Sequence, residues 1–215
     1  MKNLQWIPTV ILIAAPLLLS AGRLDLWPIW EYVGLFTIGS FVSGFLIDPG
    51  LVQERWRPGG KRIPASLMWV TFGFVAHLCL AGLDIGRYHW SDSVPRELQI
   101  AALVALGLSF AAVIWAMHVN PFFSSVVRIQ TDRGQRLIRE GPYAIVRHPG
   151  YIAGLVLSLS SGLALGSWLA GLSGYFLVPF LIRRAIHEDD LLRRELPGYQ
   201  QYMQDVRYRL IPGIW

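Results

Sequence analysis

Long apolar runs separated by short polar breaks dominate the chain, and the lengths of those runs predict its elements. The first run is Ile7 to Ala21, preceded by Lys2 and Trp6 and interrupted by Pro8 and Pro16. It reads as a retained membrane span, because further spans follow and neighbouring helices can accommodate the prolines. A cleaved signal peptide is the competing reading, suggested by the basic start and the small residues Ser20-Ala21-Gly22. The second span, Ile29 to Ile47, is entered through Trp27-Pro28-Ile29-Trp30 and left through Asp48-Pro49-Gly50. Its Gly39, Ser40, Ser43 and Gly44 predict a small-residue face for close helix packing. The third and fourth spans are Ala65 to Leu83 and Leu98 to Met117, the latter leaving through His118, Asn120 and Pro121. His77 in the third span reads as a packed histidine bonded to a neighbouring helix, with proton transfer as the alternative.

A fifth apolar run, Ile152 to Ile182, is too long for one crossing. As a single helix its 31 residues would extend ~46 Å against a ~30 Å hydrocarbon core. The spacing predicts a break among Gly162, Gly166, Ser167, Gly171 and Gly174, giving a hairpin with two arms of ~15 residues. RRAIHEDDLLRREL then reads as an amphipathic helix, with Ile186, Leu191, Leu192 and Leu196 on the apolar side and Pro197-Gly198 ending it. A short helix through Tyr199, Tyr202 and Val206 follows. The fold class expected is all-α: a polytopic membrane helical bundle with a C-terminal helical hairpin and cytoplasmic interfacial helices. Residues 1–117 form four membrane-anchoring spans. Residues 118–215 form the catalytic part, comprising a connector, the hairpin 152–182 and a tail, and are not an independent domain.

Composition agrees with the run lengths. Hydrophobic residues make up 53% of the 215 and charged ones only 15%, and a mean hydropathy of +0.43 is too high for an ordinary soluble domain of this length. The net charge of +5 comes from arginines beside apolar spans, where lipid phosphates and the positive-inside rule account for it. No nucleic-acid recognition motif accompanies it, and no obligate protein partner is evident. Cys79 is the one cysteine, which excludes an intramolecular disulfide and a thiolate cluster within one chain. Arg55, Arg57, Lys61 and Arg62 place the 48–64 loop on the cytoplasmic side, while Asp84, Asp92 and Glu97 place the 84–97 loop outside. The chain is thus expected in the cytoplasmic (inner) membrane with its site facing the cytosol.

Candidate chemistry concentrates in QRLIREGPYAIVRHPGYIAG, residues 135–154. Gly141-Pro142 marks a turn, and Pro149 biases His148 away from helical geometry, so the chain bends twice while presenting Tyr143, Arg147, His148 and Tyr151. The hairpin returns Arg184, Glu188, Asp189, Tyr202 and Arg209 to the same end. Such a pocket offers donors for a carboxylate, acids for a hydroxyl or cation, and aromatic faces for a flat ring or sulfonium. His187 and Asp190 stand at helical i,i+3 spacing, but acids alternating with arginines need no metal, and none is expected. HExxH, GxxxxGK[ST], GxSxG and a dinucleotide-binding GxGxxG are all absent.

GPYAIVRHPGYIAG, about thirty apolar residues, RRAIHEDDLL and GYQQYMQDVRYRLIPGIW together resemble the isoprenylcysteine carboxyl methyltransferase and phospholipid methyltransferase superfamily of integral membrane enzymes. The resemblance implies S-adenosylmethionine as methyl donor, with a lipophilic small-molecule or lipid acceptor arriving from the membrane. It implies cofactor contacts at Gln135, Arg136, Leu137, Ile138, Tyr143, His148, Pro149, Gly150, Tyr151 and Glu188. It makes Arg184 the clamp for an acceptor carboxylate, so that Arg184 and Glu188 are the expected catalytic residues. The sequence departs from that pattern in pairing Glu188 with Asp189, where many members have two glutamates, and in carrying Gln135 where relatives often have histidine.

Membrane sterol reductases are a second resemblance, with an RHPxYxG-like turn, an arginine-rich tail containing Ile-Pro, and a reduced nicotinamide dinucleotide as cofactor. Two features weigh against it at this level: the chain is short for their architecture, and Glu188-Asp189 suits cofactor phosphates poorly. A non-catalytic membrane scaffold is the third alternative, with the polar cluster serving as an interfacial anchor.

Overall fold

A computed structural model describes residues 6–60 and 65–215. Lys2 and the Lys61 and Arg62 of the loop charge fall outside them. Every regular element in the described residues is helical. The helices are α1 (Trp6–Ala21), α2 (Trp27–Leu46), α3 (Pro49–Trp56), α4 (Ala65–Leu83), α5 (Arg96–Val119), α6 (Pro149–Ala164), α7 (Trp168–Gly174), α8 (Leu177–Glu195) and α9 (Tyr199–Asp205). Four helical stretches are long and apolar enough to cross a membrane: Trp27–Leu46, Leu67–Tyr88, Arg96–Val119 and Trp168–Glu195. Ile7–Ala21 and Pro149–Ala164 are shorter apolar helices. The protein is an integral membrane helical bundle, as its hydropathy requires.

Local chemistry sets the boundaries. Pro28 stands in the first turn of α2. The Asp48 carboxylate accepts from the Gly50 and Leu51 amides at 2.8 and 3.2 Å, with Pro49 opening α3. This short helix lies in a stretch that hydropathy alone treats as a loop. The buried core gathers Ile13, Leu17, Ile29, Tyr32, Leu78, Leu106 and Leu165 from α1, α2, α4, α5 and the end of α6. Polar side chains beside it bond to one another, as a membrane interior favours. Tyr32 shares a 2.7 Å bond with Ser161, and His77 reaches Ser173 and Ser161 at 2.7 and 2.8 Å.

The long apolar run reverses at Leu165–Ser167. Gly166 adopts φ 84°, a left-handed conformation that costs glycine little, and the Ser167 hydroxyl caps α7 by accepting from the Ala170 amide at 3.0 Å. Gly162 and Gly174 serve another purpose. A β-carbon at Gly162 would lie 2.0 Å from the Gly171 nitrogen, and one at Gly174 would lie 2.1 Å from the Ser158 oxygen, so their absence lets α6 and α7 touch backbone to backbone. The return arm differs from two separate pieces, because α8 runs unbroken from Leu177 through RRAIHEDD to Glu195. Neither proline nor glycine occurs from Phe180 to Leu196. One helix therefore carries apolar residues at one end and the charged residues of the site at the other. Pro197 and Gly198, the latter at φ 81°, separate it from α9.

Candidate functional site

Asp189, 1% exposed, is the fixed point of the charged end. Arg147 donates Nε to Oδ1 at 3.0 Å and Nη2 to Oδ2 at 3.1 Å. His148 Nε2 and the Tyr199 hydroxyl reach Oδ1 at 2.9 and 2.7 Å, and Arg209 Nε donates to Oδ2 at 2.8 Å. One carboxylate thus joins the turn before α6, helices α8 and α9, and the tail. Burial favours the neutral form of Arg147, but Asp189 more than offsets this and raises the guanidinium above its ordinary range. The backbone repeats the connection: the Arg147 and His148 amides donate to the Tyr208 and Arg209 carbonyls at 3.0 and 2.9 Å. Arg147 Nη1 also donates to the Val206 and Arg207 carbonyls.

Beside this frame lies a cavity of about 320 Å³, within the size range of small-ligand sites. All eleven residues expected to contact cofactor or acceptor line it: Gln135, Arg136, Leu137, Ile138, Tyr143, His148, Pro149, Gly150, Tyr151, Arg184 and Glu188. Arg147, Tyr199 and Tyr202 join them, but Asp189 does not. The Tyr202 hydroxyl donates to the Tyr143 carbonyl at 2.7 Å, and Asn120 Nδ2 donates to the Tyr143 hydroxyl at 3.1 Å. Burial is the first cause that pushes the phenols of Tyr143, Tyr199 and Tyr202 up, so all three stay neutral.

On another part of the wall, Arg184 Nε donates to the Tyr151 hydroxyl at 2.8 Å, and that hydroxyl donates to Glu188 Oε2 at 2.5 Å. Arg184 Nη2 donates to the Ser125 carbonyl at 2.5 Å. Arg184 and Glu188 are one helical turn apart on α8, which aims both at the cavity, with Tyr151 between them from the first turn of α6.

Sequence reasoning missed several lining residues. Asn120, Phe122, Phe123, Ser124 and Ser125 follow α5 and close one side. Arg55 enters from α3, and Leu67, Val70 and Val113 come from α4 and α5, so residues on both sides of position 117 build the cavity. The Asp48-Pro49 signature of a helix start was the available signal for α3, since it places Arg55 on a short helix. The chain entry after α5 carried none. His187 and Asp190 take no part in a metal cluster among the described residues.

Comparison with known proteins bears on what the cavity holds. A sequence profile of the ergosterol biosynthesis ERG4/ERG24 family matches residues 66–215. A Delta(14)-sterol reductase of Mus musculus is 30% identical over 101 residues, 45% of this chain and 24% of that protein. The lamin-B receptor of Drosophila melanogaster is 27% identical over 147 residues, 61% of this chain and 20% of that protein. The aligned segments thus cover a quarter or less of those relatives' length.

These matches overturn the methyltransferase reading, and with it S-adenosylmethionine as cofactor and methyl transfer as the reaction. The physical reason is visible in the geometry. Arg147 and His148 of the RHPGY turn grip Asp189 and the tail, so the turn and the acid specify a frame and leave the cofactor open. The two features weighed against a reductase also lose their force. Chain length does not discriminate when the match occupies only part of each relative. The negative charge of Asp189 is matched by Arg147 and Arg209 and does not line the cavity, which leaves Glu188 as the one acid of the pair on its wall.

Proposed function

This chain belongs to the ergosterol biosynthesis ERG4/ERG24 family, and from that premise we propose that it is a membrane reductase acting on a carbon–carbon double bond of a lipophilic, sterol-like substrate. The observation that carries the reading is the Arg184–Tyr151–Glu188 chain on the cavity wall. Reducing such a bond requires a hydride at one carbon and a proton at the other, and this wall offers a positioned acid for the second.

The residues present fit a reduced nicotinamide dinucleotide. Tyr143, Tyr199 and Tyr202 supply neutral aromatic faces, and Gln135, Arg136 and His148 supply polar edges. When bound, that cofactor supplies the hydride. Tyr151 is the proton donor in this reading. Arg184 donates to its oxygen and stabilises the negative charge that develops as the proton leaves, while Glu188 is the adjacent proton carrier. Leu67, Val70, Val113, Phe180 and Leu181 make the apolar wall against which a hydrocarbon skeleton packs and from which water is excluded.

The site belongs on the cytosolic face of the membrane. Arg128, Arg133, Arg136 and Arg139 cluster in the connector beside it, as the positive-inside rule favours. The test is turnover by purified protein in uncharged detergent, with reduced nicotinamide dinucleotide phosphate and a panel of sterols differing in double-bond position. Consumption of the cofactor matched by a product heavier by one hydrogen molecule supports the reading. No consumption with any member of the panel, by protein that binds the cofactor, contradicts it.

A further inference from the structure

Arg55 is a cavity residue that the family-matched segment, 66–215, does not supply. Its guanidinium carbon lies 5.2 Å from the centre of the Phe123 ring, and its Nη1 makes one long bond, 3.4 Å, to the Phe123 carbonyl. A guanidinium has five N–H donors, so most of those on Arg55 are uncommitted. Its backbone is fixed, because the Ser125 hydroxyl donates to the Arg55 carbonyl at 2.6 Å and neighbouring Glu54 is tied to Arg128 at 2.9 Å.

The other arginines nearby are mostly matched to acids. Arg128 pairs with Glu54 and Asp132, Arg139 with Asp205, Arg147 and Arg209 with Asp189, and Arg193 with Asp190. Among the described residues Arg55 and Arg184 form no ion pair with a carboxylate, and residues 1–5 and 61–64 contain no acidic side chain. Glu188 is linked to Arg184 only through the Tyr151 hydroxyl. Burial first, and the charge of Arg184 second, bring the Arg55 guanidinium down to about 10, which still leaves it charged at neutral pH. Three arginines without an ion pair among the described residues, Arg55, Arg136 and Arg184, therefore face one cavity in which Glu188 is the one lining carboxylate. That arrangement is costly when empty and favourable around an anion.

We propose that Arg55 and Arg184 form a subsite for an oxyanion group, a phosphate or a carboxylate, on the ligand that enters this cavity. The oxyanion has two possible sources, the phosphate of a dinucleotide or the acidic head of an amphiphile lying along the apolar wall. Only the first source rests on the reductase reading.

The experiment is equilibrium binding to the purified full chain in uncharged detergent, using NADPH, NADH, dodecyl phosphate and dodecanol, with wild type, Arg55→Gln and Arg55→Lys. Arg55→Gln is expected to weaken at least one anionic probe by about tenfold or more and to leave dodecanol unchanged, with Arg55→Lys intermediate. Loss for NADPH but not NADH assigns the oxyanion to the extra phosphate, and equal loss for both assigns it to the pyrophosphate. Loss for dodecyl phosphate alone assigns it to an acidic amphiphile. Dodecyl phosphate binding that depends on Arg55, in protein that binds neither nucleotide, sustains the subsite while the reductase reading falls. Wild-type affinity of Arg55→Gln for every anionic probe, or no anionic binding by wild type, overturns the proposal. Should the variants fail to fold, arginine-specific labelling of the wild type decides. An anionic probe must slow modification at Arg55 where dodecanol does not, and equal rates overturn the subsite.

Discussion

Asp189 holds its charge against two guanidiniums, an imidazole and a phenol, and no other carboxylate in the described residues gathers as many side chains. Removing it would leave Arg147 buried without its partner, a loss of the kind that costs about 3–5 kcal/mol. Asp189→Ala should therefore lower the thermal unfolding midpoint sharply in detergent, and a midpoint near that of the wild type would show that the hub is dispensable. Tyr151 makes a different prediction. Tyr151→Phe removes the hydroxyl that joins Arg184 to Glu188 but keeps the ring, so cofactor affinity should persist while turnover drops about a hundredfold or more. At this scale the sequence was informative about place. Tyr143, His148, Tyr151, Arg184 and Glu188 could be grouped because turn chemistry and a returning hairpin leave them one end to occupy. Their partners were not legible. That Asp189 faces the frame and Glu188 the cavity depends on the rotation of α8, which adjacent letters do not encode.

Among elements, run length located the second, third and fourth expected spans, whereas Ile7–Ala21 forms a shorter apolar helix, and the break in the last run falls at Gly166-Ser167, two of the five residues that could have made it. The continuity of α8 could not be read, because an apolar-to-charged transition resembles a boundary when only hydropathy is followed. Close packing of α6 on α7 rests on Gly162, whose missing β-carbon leaves room for the Gly171 amide. Gly162→Ala should destabilise the protein by about 1–3 kcal/mol or more, measured by thermal unfolding, whereas alanine at Gly73, with nothing within 4 Å, should be neutral. Helix α3 depends on charge. Burial alone would raise the Glu54 carboxyl, but Arg128, the Gly59 amide and the Ser124 hydroxyl outweigh it and hold the group below its ordinary value. Asp132, bonded to the same arginine, is lowered as well. A carboxyl lowered in the folded state contributes stability that is present above its unfolded value and lost as pH falls through its folded one. The unfolding midpoint should therefore decline as pH drops through and below the ordinary carboxylate range, and less steeply in Glu54→Gln. Equal slopes would remove Glu54 from the account.

For the whole molecule, composition was enough to establish a polytopic helical membrane protein, since 53% hydrophobic residues in long runs have few other uses. The kind of enzyme was not legible. The turn at 147–151 and the acids at 188–189 build a frame able to surround more than one flat cofactor, and the family became visible only over the wider segment 66–215. In the proposed reductase, this cavity receives a reduced nicotinamide dinucleotide. The most direct test is equilibrium binding of NADPH and of S-adenosylhomocysteine, in parallel, to the purified protein in uncharged detergent, repeated with Arg136→Gln. Saturable NADPH binding, weakened by that substitution and unaffected by S-adenosylhomocysteine, is the predicted result. Saturable S-adenosylhomocysteine binding that NADPH does not displace would contradict it.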